Sequence, residues 1–373
     1  MSEQKQDKKV YFITGGGTGG HIYPAMAVAD GLIQSGNCEI YYIGNPNNME
    51  YSIAKDKNFK FLPVNISGMP RKIGIELFLW GLKLIIAIFI ALYYILKYKP
   101  TAIFGTGGYV SAPVLFASMY FTKTPYMLHD CDAQPGLVTR KLALKAKCVN
   151  LAFECAKTFI NNANVTVFGN PIREDFKNCN KESAKDSLFL GKKLTVCIMG
   201  GSQGAQSINS AAINILKKLS ENNIQVILQT GKKNYDKAIT MLLKAYPEYQ
   251  QDENVIVEPY FDNMSMILKA SDIVVSRSGS LSLSEICASP AASILIPYPY
   301  AAADHQRKNA KFMQEKGASL YIEDNELTSE LLFNRIMAIA KDETMLDKLT
   351  KNALSLANYD ATQNIIETIK NIY

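Results

Sequence analysis

Histidines and paired cysteine motifs are scarce in this chain, and their scarcity excludes several kinds of site. The three histidines, His21, His129 and His305, lie far apart and form no HxxxH pair, so we expect no metal site. The seven cysteines include no CxxC motif, which is typical of reduced, buried thiols. We therefore expect neither a metal nor another cofactor.

The chain also lacks an apolar run at its N-terminus and a strong excess of charge. Its first nine residues are polar and lead directly into a strand, so we expect no secretion signal and a cytosolic protein. The net charge of +6 is small and dispersed over 373 residues. It fits anionic phosphate ligands or an anionic membrane surface, and it argues against nucleic-acid binding.

Apolar β-type runs alternate with helical stretches nearly throughout. Such runs predict parallel sheets covered on both faces, here as two doubly wound, Rossmann-like α/β domains that face across a cleft. The predicted strands lie near 10–14, 39–43, 60–64, 101–104, 126–129, 148–151, 165–168, 194–199, 224–229, 254–258, 272–276, 293–296 and 319–322.

The predicted domains are residues 1–171 and 172–357, with the Pro- and Gly-containing segment Gly169-Asn170-Pro171-Ile172 as the hinge. A helical stretch over about 344–371 ends the chain. The sequence leaves open whether its last part, about 358–373, packs back on the first domain.

Three glycine-rich loops each follow a short apolar strand and open a helix. They are residues 15–20, 105–108 and 200–204. A loop of this kind exposes backbone N–H groups at a helix N-terminus, where the dipole also favours negative charge. Three such loops indicate an enzyme that handles diphosphates on more than one ligand.

The first loop also satisfies the dinucleotide pattern GxGxxG, as Gly15, Gly17 and Gly20. That fingerprint requires an acidic residue at the end of the second strand. The strand near 39–43 ends in residues 44–47, Gly-Asn-Pro-Asn, without a carboxylate. A nicotinamide-dependent enzyme is therefore disfavoured.

His21 follows the first loop and is a candidate general base. It lies in the first helical turn, where the helix dipole keeps an imidazole neutral, and a neutral imidazole is what a base requires. Alternatively, His21 is a polar residue that satisfies the helix terminus. We prefer the catalytic interpretation because of the adjacent phosphate-binding amides.

Several motifs in this order resemble one family. They are residues 16–25 with His21, 105–113 (GTGGYVSAP), 169–173 (GNPIR), 200–205 (GGSQGA), 276–279 (SRSG), Glu285 and 304–306 (DHQ). From about residue 9 to beyond 320, the chain resembles the bacterial peptidoglycan N-acetylglucosaminyltransferases of glycosyltransferase family 28. The resemblance implies a GT-B fold, UDP-N-acetylglucosamine as donor and inversion at the anomeric carbon. The implied acceptor is lipid I, undecaprenyl-diphospho-N-acetylmuramoyl-pentapeptide.

The resemblance also implies site residues, with His21 as the catalytic base. The acceptor-binding residues are Gly16, Gly17, Gly107, Gly108 and Tyr109. The donor-binding residues are Thr18, Gly19, Gly20, Asp132, Arg173, Ser202, Phe261, Arg277, Ser280, Leu281, Ser282, Leu283, Ser284, Glu285 and Gln306.

These residue types suit those roles chemically. The Glu285 carboxylate can accept both ribose hydroxyls, and Ser202 offers a hydroxyl and an N–H to a phosphate. Arg173 and Arg277 can carry charge toward a diphosphate, or can instead form surface ion pairs. By resemblance, Phe261 contacts the uracil; alternatively, it is an ordinary core residue. Gln306 matches the residue that contacts a sugar hydroxyl in the family.

One segment departs from the family pattern. Where the family usually reads His-Glu-Gln-Asn, this chain has His129-Asp130-Cys131-Asp132. An ionised Asp132 accepts hydrogen bonds but donates none, unlike the Asn that contacts the donor sugar. Either this contact is remade with reversed polarity or Asp132 is an additional acid/base group. We prefer the first.

Residues 77–96 form a long apolar stretch with Lys83 as its single charge. Twenty such residues can span a bilayer, but these lie between two strands of one predicted parallel sheet. We therefore expect the stretch to lie on the anionic cytoplasmic leaflet of the inner membrane, flanked by Arg71, Lys72, Lys97 and Lys99. The alternative is burial against another helix.

Three classes of function remain. The first is the peptidoglycan transferase, the second another UDP-sugar enzyme such as an epimerase or a glycolipid synthase. The third is a catalytically inactive UDP-sugar binding protein at the membrane. His21, Glu285 and the first two loops favour the first class.

Overall fold

A computed structural model describes residues 8–70, 72–162, 164–201 and 203–373. The chain divides into two compact units. The N-terminal unit extends to Ile172 and also includes Asp360–Tyr373, and the C-terminal unit is Arg173–Tyr359.

The N-terminal unit is built on a seven-stranded sheet. Its strands are β1 (Lys9–Thr14), β2 (Cys38–Gly44), β3 (Lys60–Pro63), β4 (Ala102–Gly105), β5 (Tyr126–Asp130), β6 (Cys148–Leu151) and β7 (Val165–Thr166). The order is β3-β2-β1-β4-β5-β6-β7, and each neighbouring pair is parallel. The predicted parallel, doubly wound sheet is confirmed, with strand ends shifted by one or two residues.

Helices cover both faces of this sheet. They are α1 (Gly19–Gln34), α2 (Met49–Asp56), α3 (Ile75–Tyr98), α4 (Ala112–Phe121) and α5 (Leu137–Leu142). Buried residues of α3, α4 and α5 form one core with the sheet, and those of α1 and α2 form the core on the opposite face.

The long helix α3 buries only one narrow stripe. Ala87, Ala91 and Ile95, spaced four residues apart, face the core. In the part of the chain that the structure describes, α3 is the one helix long and apolar enough to cross a bilayer by length and composition. However, it joins β3 to β4 within one sheet and packs against α4, so it is a crossover helix.

The C-terminal unit repeats the same scheme with six strands. They are β8 (Thr195–Met199), β9 (Gln225–Gln229), β10 (Val255–Glu258), β11 (Ile273–Ser276), β12 (Ala292–Leu295) and β13 (Leu320–Tyr321). They are parallel, in the order β10-β9-β8-β11-β12-β13. The helices are α6 (Asp175–Asn178), α7 (Lys181–Ser187), α8 (Gln206–Ile213), α9 (Leu216–Glu221), α10 (Tyr235–Ala245), α11 (Met264–Ala270), α12 (Ser280–Cys287), α13 (His305–Glu315), α14 (Ser329–Ala340) and α15 (Glu343–Ser355).

The end of the chain differs from the single helical stretch predicted over 344–371. The helix breaks after Ser355, and α16 (Ala361–Asn371) follows. Two separate cores explain the break: α15 buries Leu349 in the C-terminal unit, whereas α16 buries Ile365 in the N-terminal unit. A Cβ built on Gly31 of α1 would lie 2.3 Å from Cδ1 of Ile366, so α16 packs directly on α1.

Candidate active site

The first two glycine loops interlock at the carboxyl end of the N-terminal sheet. β1 and β4 are neighbours, so the loops that follow them start side by side. The Thr106 hydroxyl donates to the His21 carbonyl at 2.6 Å. Gly108 has φ +75°, and a Cβ there would lie 2.3 Å from the Gly16 carbonyl oxygen. The fold thus brings together the predicted acceptor glycines of both loops and His21.

The His21 imidazole lies between the second loop and Cys131. A Cβ built on Gly107 would lie 3.4 Å from its Nδ1 and Cε1, and one on Gly108 would lie 3.2 Å from Cδ2. Nδ1 is 3.8 Å from Cys131 Sγ. The backbone of Thr18, which directly precedes α1, accepts the His21 N–H at 3.1 Å. The ring is therefore held by two separate loops.

A buried carboxylate lies behind these loops. Glu50 of α2 is fully buried, and its Oε1 accepts hydrogen bonds from Asn45 N at 3.2 Å and Asn48 Nδ2 at 3.3 Å. Asn48 Nδ2 also donates to the Tyr109 hydroxyl at 3.0 Å. The Tyr109 ring in turn lies against Gly17. The hydrogen bonds from Glu50 through Asn48 therefore hold Tyr109, a predicted acceptor-binding residue, in place.

Sequence reasoning missed Glu50. The dinucleotide fingerprint places its acidic residue at the end of the second strand, whereas Glu50 lies six residues beyond Gly44, the last residue of β2. Its carboxylate does not restore the dinucleotide hypothesis, because it packs behind Gly16, where a Cβ would lie 2.6 Å from Glu50 Oε1. The available signal was its position in the first turn of α2, at the same edge of the sheet as the glycine loops.

A second buried polar group supports the segment that departs from the family pattern. His129 is fully buried, its Nε2 donates to Asn170 Oδ1 at 3.0 Å, and its Nδ1 accepts from Asn150 Nδ2 at 2.8 Å. Burial lowers the pKa of His129 to about 4, although the Asn170 hydrogen bond acts in the opposite direction. His129 is thus a neutral structural residue of the site.

We expect the protein to lose, at acidic pH, the folding stability that the neutral, buried His129 contributes. Because its folded pKa is below the ordinary value of about 6.5, this contribution is complete above pH 6.5 and is lost as the pH falls toward 4. The free energy of unfolding of the wild type relative to His129→Gln should shrink by about 2 kcal/mol between pH 7 and pH 5. Urea unfolding of both proteins at the two pH values measures this. A difference that stays constant with pH would contradict a neutral His129.

Asp130 and Asp132 occupy different environments. The buried Asp130 carboxylate accepts the N–H groups of Gly136 at 2.9 Å and Asp132 at 3.3 Å. Burial, and then the charge of Asp132, raise the pKa of Asp130 to about 7. Asp132 itself is only half-buried. Its predicted contact with the donor sugar stays a prediction.

In the C-terminal unit, two predicted donor-binding residues meet. Arg173 Nε and a terminal guanidinium nitrogen lie 3.1 and 3.0 Å from Glu285 Oε1. Burial raises the pKa of the Glu285 carboxyl, and the charge of Arg173 opposes that shift. The arginine therefore compensates a nearly buried carboxylate instead of forming an ion pair at the surface.

The segment 280–284 forms the start of α12, which begins directly after Gly279. The first N–H groups of a helix have no partner within it and suit an anion. The Ser284 hydroxyl donates to the Ser280 carbonyl at 3.1 Å. Leu283 is fully buried and its N–H donates to the Gly279 carbonyl at 3.0 Å, so neither its side chain nor its N–H is available to the donor.

Arg277 does not fit its predicted role. Its terminal nitrogens donate to the carbonyls of Ile296 and Pro297, to Asp324 Oδ1 at 2.5 Å and to the Ser207 hydroxyl at 2.9 Å. The side chain is buried, and its charge is balanced by Asp324. We therefore correct this assignment: Arg277 ties together strand ends and α8 and does not supply an available cation.

The remaining predicted donor residues within the described ranges lie in loops or at helix starts. Gln306 is in the first turn of α13, and its Oε1 accepts the Tyr298 N–H at 2.9 Å. Phe261 is half-buried, and its N–H donates to Gln229 Oε1 at 3.0 Å. Gly19 and Gly20 begin α1. Ser202 lies outside the described residues.

Across residues 8–70, 72–162, 164–201 and 203–373, no group of three or more His, Cys, Asp or Glu side chains could hold a metal ion. No disulfide bond joins the cysteines in these ranges.

Two family models match the chain. The glycosyltransferase family 28 N-terminal domain matches residues 11–151, and the family 28 C-terminal domain matches residues 195–365. They cover the two units that carry the glycine loops.

Curated relatives match over nearly the full length. A protein of Desulforamulus reducens is 35% identical over 370 residues, which cover 96% of this chain and 98% of the relative. A protein of Thermoanaerobacter sp. is 34% identical, with 97% and 99% covered. Each is named UDP-N-acetylglucosamine--N-acetylmuramyl-(pentapeptide) pyrophosphoryl-undecaprenol N-acetylglucosamine transferase.

Solved structures of related enzymes have the same fold as this chain. The crystal structure of MurG from Acinetobacter baumannii superimposes with a TM-score of 0.76 at 26% identity, covering 97% of this chain and 99% of that one. The UDP-GlcNAc 2-epimerase of Neisseria meningitidis shares the fold alone, with a TM-score of 0.65 at 13% identity, covering 97% and 99%. The expected GT-B fold is confirmed. The chain belongs to glycosyltransferase family 28 and, within it, to the family of N-acetylglucosamine transferases that includes MurG.

Proposed function

We propose that this protein transfers N-acetylglucosamine from UDP-N-acetylglucosamine to undecaprenyl-diphospho-N-acetylmuramoyl-pentapeptide, with inversion at the anomeric carbon. The observation that carries the proposal is the position of His21. Its imidazole lies against two interlocked glycine loops, in a chain 35% identical over 370 residues to a transferase named for this reaction.

The N-terminal unit supplies the acceptor site in this proposal. Backbone N–H groups around Gly16, Gly17, Gly107 and Gly108 bind the lipid diphosphate, and Tyr109 is positioned beside them through Asn48. His21, held at the same loops, removes the proton from the acceptor's sugar hydroxyl.

The C-terminal unit supplies the donor site. Glu285, oriented by Arg173, accepts hydrogen bonds from the ribose hydroxyls. The first turn of α12, from Ser280 to Ser282, offers N–H groups to the diphosphate, and Gln306 contacts the sugar. Ser202 and Phe261 complete the site at a phosphate and at the uracil.

The chemistry follows from these roles. As His21 takes the hydroxyl proton, the acceptor oxygen attacks the anomeric carbon and the bond to the UDP oxygen breaks, so UDP departs with the electron pair. Attack opposite the departing group inverts the anomeric configuration. N–H groups aimed at the UDP diphosphate stabilise the charge that develops there.

Incubation of the protein with radiolabelled UDP-N-acetylglucosamine and a short-chain lipid I analogue tests the function. Label should move into the lipid, and UDP should appear in equal amount. Conversion of the labelled donor to its C2 epimer would instead indicate an epimerase. Donor binding without any product would indicate a binding protein.

We also place the protein on the cytoplasmic face of the inner membrane, peripherally. The outer face of α3 supports this, because nine of its large apolar side chains are exposed. They are Ile75, Phe78, Leu79, Leu82, Ile85, Ile86, Phe89, Tyr93 and Leu96. The helix is about 36 Å long. Lys72, Lys97 and Lys99 are exposed near its ends, as suits a helix lying on anionic lipid.

The double variant Ile86→Lys/Phe89→Lys should bind anionic vesicles at least tenfold more weakly than the wild type, because both side chains are more than half exposed. Flotation with phosphatidylglycerol vesicles measures this. The control Ile33→Lys/Leu243→Lys adds the same charge at exposed apolar positions outside α3 and should bind at least as well as the wild type. Equal flotation of the two double variants would argue against docking through α3.

A further inference from the structure

We propose that Cys131 is a positioning residue for His21. Its sulfur accepts the Nδ1–H of the imidazole, which leaves Nε2 as the nitrogen that receives the acceptor's proton. The contact is 3.8 Å between Sγ and Nδ1. The role of Nε2 in turnover rests on the proposed function, whereas the tautomer of His21 does not.

The sulfur is held in place by the backbone around it. The Cys131 carbonyl accepts a hydrogen bond from Asn170 Nδ2 at 3.3 Å. Asp130 and Asp132 flank Cys131, and the Asp130 carboxylate accepts the Asp132 N–H at 3.3 Å. Cys131 is only 2% exposed, so the thiol has little freedom to turn away. Its position is therefore determined by contacts that do not involve His21.

The imidazole is held just as firmly from the other side. The Thr106 hydroxyl binds the His21 carbonyl, and Gly107 and Gly108 form a close surface along Nδ1, Cε1 and Cδ2. A Cβ on Gly107 would just touch the ring at 3.4 Å and one on Gly108 would be tight at 3.2 Å, and both residues have the positive φ that favours glycine. Nδ1 therefore remains directed toward Cys131.

The direction of the hydrogen bond decides whether His21 can act as a base. If the thiol donated to Nδ1, the proton of the neutral ring would be on Nε2, and that nitrogen could accept no other. If the thiol lost its proton to the ring, both nitrogens would carry protons. Only the Nδ1–H tautomer leaves a basic nitrogen opposite the sulfur.

The family pattern offers a matched substitution. The resembled family has Gln where this chain has Cys131, and an amide oxygen accepts an Nδ1–H as a sulfur does. The amide oxygen of Gln and the sulfur of Cys can thus both accept the Nδ1–H of the histidine. Cys131→Gln and Cys131→Ser should keep the tautomer, whereas Cys131→Ala should not.

Nitrogen NMR of protein labelled with ¹⁵N-histidine tests the tautomer without any turnover. The chain has three histidines, and the spectrum of His21→Gln identifies the His21 signals. We expect Nδ1 to be protonated and Nε2 unprotonated in the wild type, in Cys131→Ser and in Cys131→Gln. In Cys131→Ala the Nε2–H form should become populated. A wild type with Nε2–H, or an unchanged tautomer in Cys131→Ala, would overturn the proposal.

Kinetics give the second readout. Turnover of Cys131→Ala should fall about tenfold at unchanged KM for the donor, and Cys131→Gln should recover most of it. Cys148→Ala, which removes another buried thiol of the same unit, is the control and should keep wild-type turnover. If the wild type transferred no sugar, the proposed function would fail while the NMR result still decided the tautomer.

Discussion

His21→Ala should lower transferase turnover by about 10²- to 10⁴-fold, the range that removal of a general base produces. Histidine is the side chain that most often serves as a general base, and His21 lies at the junction of the two interlocked loops. Donor binding should persist, because the residues proposed to hold the ribose, the UDP diphosphate and the uracil belong to the C-terminal unit. Calorimetric titration with UDP and a turnover assay on the same preparation separate the two effects.

His21→Gln is the companion variant. Its amide can hydrogen-bond near the position of the imidazole but cannot take a proton at neutral pH, so turnover should be lost as in His21→Ala. Near-normal turnover in either variant would remove His21 as the base. Loss of UDP binding in both would instead indicate a structural role beyond the N-terminal unit.

Gly108→Ala should reduce acceptor-dependent turnover by about 100-fold, as expected when reacting groups shift by about 1 Å. The added Cβ would lie 2.3 Å from the Gly16 carbonyl oxygen, which is backbone and cannot rotate away. One of the two loops must therefore move, and both carry proposed acceptor contacts. UDP binding in the C-terminal unit should be unaffected.

Gly36→Ala is the matched control for this experiment. Gly36 also has positive φ, at +84°, but a Cβ there meets no atom within 4 Å. It therefore bears only the backbone strain, worth about 1 kcal/mol of stability, and should keep full turnover. If both variants lost activity equally, strain would account for the effect and the contact between the loops would not matter.

Much of the fold could be predicted because its signals are local. The strands appear as continuous apolar runs, and each glycine loop follows one of them. The exposed character of α3 could also be anticipated, since a crossover helix has one face for the sheet and α3 is apolar all round. By contrast, the break between α15 and α16 depends on which unit each helix packs against, and 344–371 reads as helix throughout.

Single residues of the site were predicted less well, for a physical reason. Arg277 has the same charge as Arg173 and a similar loop position. However, Arg277 is buried and pairs with Asp324, which has no predicted role, whereas Arg173 pairs with Glu285, which is itself a predicted donor residue. Leu283 falls in a polar stretch but faces the core. Glu50 and Cys131 gain their places only because distant loops converge at one edge of the sheet.

The sequence by itself determined the two parallel sheets, the glycine loops at their carboxyl ends and His21 as a candidate base. Those features depend on backbone conformation and apolar periodicity, which neighbouring residues set. The tertiary structure alone decided which side chains pair: Cys131 with His21, Asn48 with Tyr109, Arg277 with Asp324. Partners separated by 47 to 110 residues meet where separate strands end, and a hydrogen bond or ion pair depends on the distance in space, not on separation along the chain.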